Sequence, residues 1–240
     1  AGGVPGRAPH ERNDSLMSAL GDFGDSLRLA IAIGMTVFMV VLRFDQERIM
    51  RSDYFRSRSW WMGPLSYYGL VLIFTAGIII ILPRGMASLF LVGGELGDLL
   101  PAMLIFAVVG IANGAALAVV RFRALLPLPL EMLPSRALAA GLNAVAEELQ
   151  FRAVILGLML VGGLNPGVAV ALQAVIFGAA HRRVWRERDW YFVAGSVLLG
   201  YACGLVTINT GSVIPAMVGH FAVTMGIYAF AGGRLRMQRI

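Results

Sequence analysis

Residues 137–164 read ALAAGLNAVAEELQFRAVILGLMLVGGL, an apolar stretch that carries two carboxylates and one guanidinium near its centre. It is long enough to cross a bilayer as a helix, because about 20 predominantly apolar residues span the hydrocarbon core. Each charged side chain at such a position costs roughly 2.5–3.5 kcal/mol on insertion scales. Charges are kept inside membrane helices mostly where they have a role, so Glu147, Glu148 and Arg152 are candidate functional residues.

The composition of the whole chain also indicates a membrane protein. Of its 240 residues, 58% are hydrophobic and 14% are charged, whereas soluble domains have roughly 45–50% apolar and 25% charged residues. A soluble domain of this size has too small an interior to bury so much apolar surface. The sequence shows no strand-like alternation and no fixed-period repeat. We therefore predict an all-α, polytopic membrane protein with about seven to eight transmembrane helices.

Seven apolar segments define the predicted spans, at 27–42, 62–82, 99–120, 137–161, 166–181, 190–209 and 212–231. The segment 85–97 is too short and too rich in glycine to span, so it is expected to re-enter the membrane or to lie on its surface. Residues 1–26 are interpreted as a flexible N-terminal tail. Residues 27–240 are interpreted as a single membrane domain.

The placement of arginine predicts the orientation. All twenty basic residues are Arg, and fifteen of them fall in 43–61, 121–136, 182–189 and the segment after 233. These segments share one side of the membrane in the seven-span arrangement, and positive residues collect in cytoplasmic loops. We therefore predict that this side and the C-terminus are cytoplasmic, and that the basic excess does not signify a nucleic-acid partner. The exclusive use of Arg points to a GC-rich bacterial genome, and hence to a bacterial inner membrane.

The spacing within the fourth span predicts how its charges pair. Glu148 and Arg152 are four residues apart, so they share a helix face and can form a salt bridge. Glu147 is rotated by about 100° and shares its face with Asn143. In this interpretation Glu147 is left without a partner and is suited to acid–base chemistry. An architectural polar cluster that only holds helices together remains the alternative.

Two histidines accompany the glutamates. His181 ends the fifth span, and His220 lies inside the seventh, one turn before Thr224. Three chemistries fit a glutamate with two histidines. Zinc hydrolysis is one, although no HExxH pair occurs, and a Ser or Cys nucleophile is another, although no GxSxG-type signature occurs. The third is a water activated by Glu and His, which needs neither a metal nor a covalent intermediate.

Three motifs here resemble one known family. EELQFR at 147–152 resembles the EExxxR motif of the CPBP family, the CAAX prenyl protease and bacteriocin-processing group that is also called the Abi family. FGAAH at 177–181 resembles its FxxxH motif, and HFAVT at 220–224 resembles its HxxxN/D motif. The order and spacing agree over about residues 137–231, which are therefore interpreted as a CPBP-type catalytic core.

The resemblance implies an intramembrane endopeptidase that depends on glutamate. It implies that Glu147 and His181 activate the attacking water, and that His220 and the residue at 224 stabilise the oxyanion. The supporting residues are Glu148 and Arg152, to which the shared helix face adds Asn143. One position departs from the motif, because residue 224 is Thr rather than Asn or Asp and its hydroxyl reaches less far than an amide. Ala153 also stands where the family commonly has Gly.

Three functions are compatible with this pattern. The first is an intramembrane metalloprotease or glutamic endopeptidase of the CAAX prenyl protease type, which hydrolyses a peptide bond with a Glu- and His-activated water. The second is a catalytically weakened or inactive relative that serves as a subunit, immunity factor or chaperone of a membrane protein complex. A transporter or channel that uses the charges as a proton relay is a third. The expected partners are a membrane-embedded peptide or protein substrate, the lipid bilayer and other membrane subunits, with no cofactor and no metal.

Overall fold

The computed structural model describes residues 9–50, 62–123, 128–181 and 190–231, with side chains over 24–44, 66–120, 128–181 and 192–230. No strand occurs in these ranges, so the prediction of an all-α fold is confirmed. The helices are α1 (Pro9–Met50), α2 (Met62–Ile81), α3 (Gly85–Ser88), α4 (Leu96–Phe122), α5 (Leu133–Glu148), α6 (Gly157–Val161), α7 (Pro166–Ala180), α8 (Trp190–Thr210) and α9 (Ile214–Ala231). A π-helical segment, Leu149–Leu156, joins α5 to α6, and a short 3₁₀ turn, Leu130–Met132, precedes α5.

Within the described residues, three stretches are long and apolar enough to cross a membrane, namely Gly24–Phe44 of α1, Leu96–Val120 of α4 and Phe192–Thr210 of α8. Shorter apolar helices cover Ser66–Ile81, Pro166–Ala180 and Ile214–Phe230. Large apolar side chains point outward from these helices, as Ile73, Leu104 and Leu198 do. Such an apolar exterior fits lipid rather than water, so the chain is an integral membrane protein. The count of seven to eight spans stays a prediction.

Both ends of the predicted topology extend beyond the described residues. Helix α1 begins at Pro9, within the segment 1–26 that the sequence assigns to a tail, and residues 1–8 lie outside the described part. The arginines of 51–61, 182–189 and 232–240 also lie outside it. The predicted orientation therefore stays a prediction.

Helix α5, the π-helical segment and α6 follow one another without a break and form the central element of the fold, which we call the central helix (133–161). Every residue of the π-helical segment is buried. Helices α1, α2, α7 and α8 all contact this segment. Because π-helical turns are rare and occur mostly at functional sites, this stretch marks the interior where chemistry is to be sought.

Small residues let the outer helices approach each other closely. A Cβ at Gly114 of α4 would lie 2.4 Å from the backbone oxygen of Val223 in α9, and one at Gly110 would lie 2.7 Å from that of Gly219. On the other side, a Cβ at Gly178 of α7 would lie 2.3 Å from a methyl carbon of Val197 in α8. Helix pairs in membranes commonly pack through such small residues. The two contacts fix α4 against α9 and α7 against α8.

The segment 85–97 does not form a span. It holds only the four-residue helix α3 and irregular chain before α4. Its Leu89 is fully buried, and the carbonyl oxygen of Ser88 lies so close to Gly157 that a Cβ there would be 2.7 Å away. The segment therefore packs on the far end of the central helix.

Candidate active site

The predicted pair in the central helix is present. Arg152 Nη1 lies 2.9 Å from Glu148 Oε1, and both side chains are fully buried. The same carboxylate oxygen lies 2.7 Å from Nδ1 of His220, which α9 supplies. Because a carboxylate only accepts, the imidazole donates its Nδ1 proton to Glu148. Glu148 thus does more than neutralise Arg152, because it also holds the ring of His220 in place.

Glu147 is not a carboxylate without a partner, and that expectation is wrong. The guanidinium of Arg43 in α1 donates a charged hydrogen bond to Oε1 of Glu147. The sequence counts Arg43 among the loop arginines of 43–61, but α1 continues to Met50, so Arg43 is a helical residue beside the site. The partners are 104 residues apart in sequence, and spacing within one helix cannot reveal them.

The other oxygen of Glu147 is the one available for chemistry. Oε2 is buried and has no hydrogen-bond partner among the described residues. It lies 3.8 Å from Nε2 of His220. That distance is too long for a direct hydrogen bond. One water at ordinary hydrogen-bond distance from both atoms can bridge them, and such bridging is common where polar atoms stand this far apart.

A polar network that the sequence did not reveal surrounds the Arg43–Glu147 pair. The hydroxyl of Tyr67 in α2 donates to Oε1 of Gln150 at 2.6 Å, and Gln150 Nε2 donates to the backbone oxygen of Met39 at 3.1 Å. Arg43 also lies over the Tyr67 ring, with its guanidinium carbon 5.6 Å from the ring centre. Only the polar character of Tyr67 and Gln150 within apolar stretches could have signalled these contacts.

Asn143 is directed toward α2 in this arrangement. Its Oδ1 accepts a hydrogen bond from the hydroxyl of Tyr68, and the distance of 3.5 Å is at the limit for such a bond. No hydrogen bond joins the Asn143 side chain to Glu147 in the described part of the chain. The shared helix face therefore places Asn143 near the site without joining it to the carboxylate.

Phe177 connects the charged pair to both histidines. The guanidinium carbon of Arg152 lies 4.2 Å from the centre of its ring, a cation–π contact. The rings of His181 and His220 meet Phe177 edge to face, at centroid distances of 4.8 and 5.9 Å. The first residue of the FxxxH motif is thus the aromatic surface against which the site is assembled.

His181 is oriented by its own helix. Its Nδ1 lies 2.8 Å from the backbone oxygen of Phe177, one turn earlier. A carbonyl oxygen only accepts, so Nδ1 carries the proton and Nε2 of the neutral ring is an acceptor. Of the two histidines, only His220 comes within 4.0 Å of a Glu147 oxygen in the described residues. The resting arrangement therefore brings His220, rather than His181, next to Glu147.

A cavity lies beside this cluster, between α4, α7, α8 and α9. It encloses about 50 Å³, whereas one water needs roughly 10–15 Å³ by the same kind of measure. His181, His220 and Thr224 share its wall, and Glu147 reaches it only through His220. The remaining lining residues are Asn113, Leu117, Phe177, Phe192, Gly195, Ser196, Leu199, Val223 and Ile227.

The donor set of the described residues does not resemble a metal centre. No group of three or more His, Cys, Asp or Glu side chains is arranged there to hold an ion. His181 directs its Nδ1 at the backbone oxygen of Phe177, and His220 directs its Nδ1 at Glu148. Two arginines neutralise the two glutamates. These contacts fix the orientation of both imidazole rings.

The fold and the cluster together define a class, namely integral membrane proteins with a buried Glu–His site at the junction of several helices. Comparison with family models gives a match over part of the chain. Residues 129–226 match the family model described as type II CAAX prenyl endopeptidase Rce1-like. This match confirms the resemblance to the CPBP family and covers all three of its motifs. No curated protein and no solved structure matches the chain.

Proposed function

We propose that this protein is an intramembrane endopeptidase of the CAAX prenyl protease type, in which Glu147 activates water. One observation carries the proposal: the buried oxygen Oε2 of Glu147 has no hydrogen-bond partner in the described residues and lies 3.8 Å from His220 Nε2. A buried carboxylate oxygen is costly to leave unsatisfied. A water bound there satisfies Oε2, and His220, 3.8 Å from that oxygen, lines the cavity that is to admit a substrate carbonyl.

The reaction proceeds with the following balance. Glu147 Oε2 takes a proton from the water, whose oxygen attacks the carbonyl carbon of the scissile peptide bond. The carbonyl electron pair moves onto its oxygen, and donors in the cavity wall stabilise the resulting oxyanion. When the tetrahedral intermediate collapses, the carbon–nitrogen bond breaks and the proton held by Glu147 passes to the leaving amine. One water is consumed, and a carboxylic acid and an amine are formed.

The remaining residues take supporting parts in this proposal. His181 presents its Nε2 to the cavity as an acceptor that helps to orient the water. His220 stabilises the oxyanion when Nε2 is protonated, because its Nδ1 is engaged by Glu148. Thr224 contributes one hydroxyl donor from the same wall. Glu148 and Arg152 hold His220 in position.

The second candidate is a relative without hydrolysis that serves as a subunit, immunity factor or chaperone of a membrane complex. Two observations favour it, because Arg43 occupies one oxygen of Glu147 and Thr224 replaces the amide or carboxylate of the family motif. In either case we place the protein in a bacterial inner membrane with its C-terminus in the cytoplasm.

The experiment that separates the candidates uses purified protein in liposomes. Two substrates are offered: a farnesylated peptide ending in Cys-aliphatic-aliphatic-X, and a library of peptides with apolar segments. New termini are detected by mass spectrometry. We expect cleavage that Glu147→Gln abolishes and that a strong chelator leaves unchanged. Chelator inhibition with stoichiometric zinc in the purified protein would transfer the chemistry to a metal, and no cleavage of either substrate would favour the second candidate.

A further inference from the structure

Two polar side chains in the cavity wall, Asn113 and Ser196, belong to none of the three motifs. Asn113 lies in α4, outside the matched segment 129–226, and lines the same cavity as His181, His220 and Thr224. It is the only amide in that lining. An amide within an apolar span is costly unless it finds a hydrogen-bond partner. Among the described residues the Asn113 side chain makes no hydrogen bond, and Asn113 lines the cavity.

The packing of α4 against α9 holds Asn113 at the level of His220 and Thr224, the two residues proposed to stabilise the oxyanion. Gly110 abuts the carbonyl oxygen of Gly219, the residue before His220, and Gly114 abuts that of Val223, the residue before Thr224. Asn113 adjoins Gly114 in sequence and is one turn from Gly110. The close contacts of these two glycines fix its register against α9. Asn113 therefore lines the cavity at a backbone level between His220 and Thr224.

The other polar groups of the wall are weaker candidates for this role. The hydroxyl of Ser196 already donates to the backbone oxygen of Phe192 at 2.9 Å. His220 donates from Nε2 only when its ring is charged, because Nδ1 is engaged by Glu148. An amide carries two donor protons and is never deprotonated, so it stabilises an oxyanion independently of any titration.

We infer that Asn113 is a catalytic residue that supplies from α4 the amide donor that position 224 lacks. The inference rests on the proposed function. In it, the NH₂ group of Asn113 and the hydroxyl of Thr224 bind the oxyanion from two sides of the cavity. Thr224 is then one half of a donor pair drawn from two helices, and not a defect of the site.

The test moves the amide from one helix to the other. Turnover of a peptide that the wild type cleaves is measured in liposomes for Asn113→Ala, Thr224→Asn and the double variant, with thermal stability measured in parallel. Loss of one oxyanion donor commonly lowers kcat by about 10²–10³-fold. We expect Asn113→Ala to lower kcat to this extent with little change in KM or melting temperature. In the double variant, Thr224→Asn should raise kcat at least tenfold above that of Asn113→Ala alone.

The matched control is Asn209→Ala, because Asn209 is an exposed asparagine near the opposite end of α8, away from the cavity. It should leave kcat unchanged. If Asn113→Ala cleaves as fast as the wild type, or if Thr224→Asn does not rescue it, the inference is wrong while the proposed function stands. If the wild type and all variants fail to cleave, both the proposed function and the inference fall.

Discussion

The pairing of Arg43 with Glu147 balances a charge of the interior that the sequence had left without a partner. Two glutamates of the central helix face two guanidiniums, one from the same helix and one from α1, so the four formal charges cancel. Breaking a buried ion pair by removing one partner typically costs 3–5 kcal/mol, because the other charge stays behind uncompensated. A substitution of Glu147 therefore acts on stability as well as on chemistry.

This balance predicts that a second substitution restores stability without restoring activity. Glu147→Gln should abolish cleavage and also lower the melting temperature by several degrees, because the charge of Arg43 is then no longer balanced by the Glu147 carboxylate. Adding Arg43→Gln removes that charge, so the double variant should regain most of the lost stability and none of the activity. Thermal unfolding in detergent, followed beside the cleavage assay, measures both.

Arg28→Gln provides the control for arginine removal. Arg28 pairs with Asp25 at 3.5 Å on an exposed surface, and exposed pairs contribute little to stability. Its loss should leave the melting temperature nearly unchanged. A double variant that is less stable than Glu147→Gln would contradict the pairing.

Contacts of the site within one helix could be predicted from the sequence, whereas contacts between helices could not. Glu148 and Arg152 are one turn apart, so helix geometry alone brings them together. The contact of Arg43 with Glu147, and that of His220 with Glu148, depend on how separate helices pack. The spacing of residues along one chain carries no information on such contacts unless a motif of known relatives supplies it. The motif supplied His220, while Arg43 and Asn113 lie outside it.

At the scale of elements, glycine contacts decide which helices approach the site. The predicted apolar segments fall in helical parts of the described chain, and three of the stretches there are long and apolar enough to cross a membrane. The π-helical turns of 149–156 were not predicted, since the residues there are compatible with ordinary helix and only their burial among four neighbours distinguishes them. The contact of α4 with α9 could likewise not be predicted from the sequence, although it places Asn113 and Thr224 in the wall of one cavity.

Substitution of a glycine by alanine, which adds one methyl group, should lower stability only where the glycine lies in close contact with another helix. Gly114→Ala places a Cβ 2.4 Å from the backbone oxygen of Val223, so α4 must move away from α9. Overpacking of this kind commonly costs about 1–3 kcal/mol, and we expect lower thermal stability with reduced cleavage.

Gly34→Ala in α1 is the matched substitution, because a Cβ there meets nothing within 4 Å. Since alanine favours helix over glycine, this variant should be as stable as the wild type or slightly more so. Equal losses for the two variants would show that the α4–α9 contact does not hold the site together.

At the scale of the whole molecule, the segment that matches the family model does not contain all residues of the candidate site. Residues 129–226 contain both glutamates and both histidines, whereas Arg43, Tyr67 and Asn113 come from α1, α2 and α4. The helices outside the matched segment therefore contribute charge, hydrogen bonds and cavity wall to the interior. The spans before the motifs are part of the candidate enzyme and not only its anchor.

Splitting the chain tests this dependence. A fragment of residues 128–240 expressed alone should aggregate or be degraded, because Glu147 lacks its cation. Co-expression with residues 1–123 should recover a complex that copurifies and cleaves. The same 1–123 fragment with Arg43→Gln should recover less of it, as judged by size-exclusion chromatography and the cleavage assay. A monodisperse, active 128–240 fragment on its own would show that the matched segment suffices.

The separation of Arg43 from Glu147 also has a consequence for the order of events during synthesis. Arg43 emerges 104 residues before its carboxylate, which at about 5–20 residues per second amounts to roughly 5–20 s. During that interval the carboxylate of Glu147 has not yet been made, and a long arginine side chain near the end of a membrane helix can reach toward the headgroups. The contact between Arg43 and Glu147 therefore forms only after the central helix has been synthesised, so α1 completes its packing against the interior late in assembly.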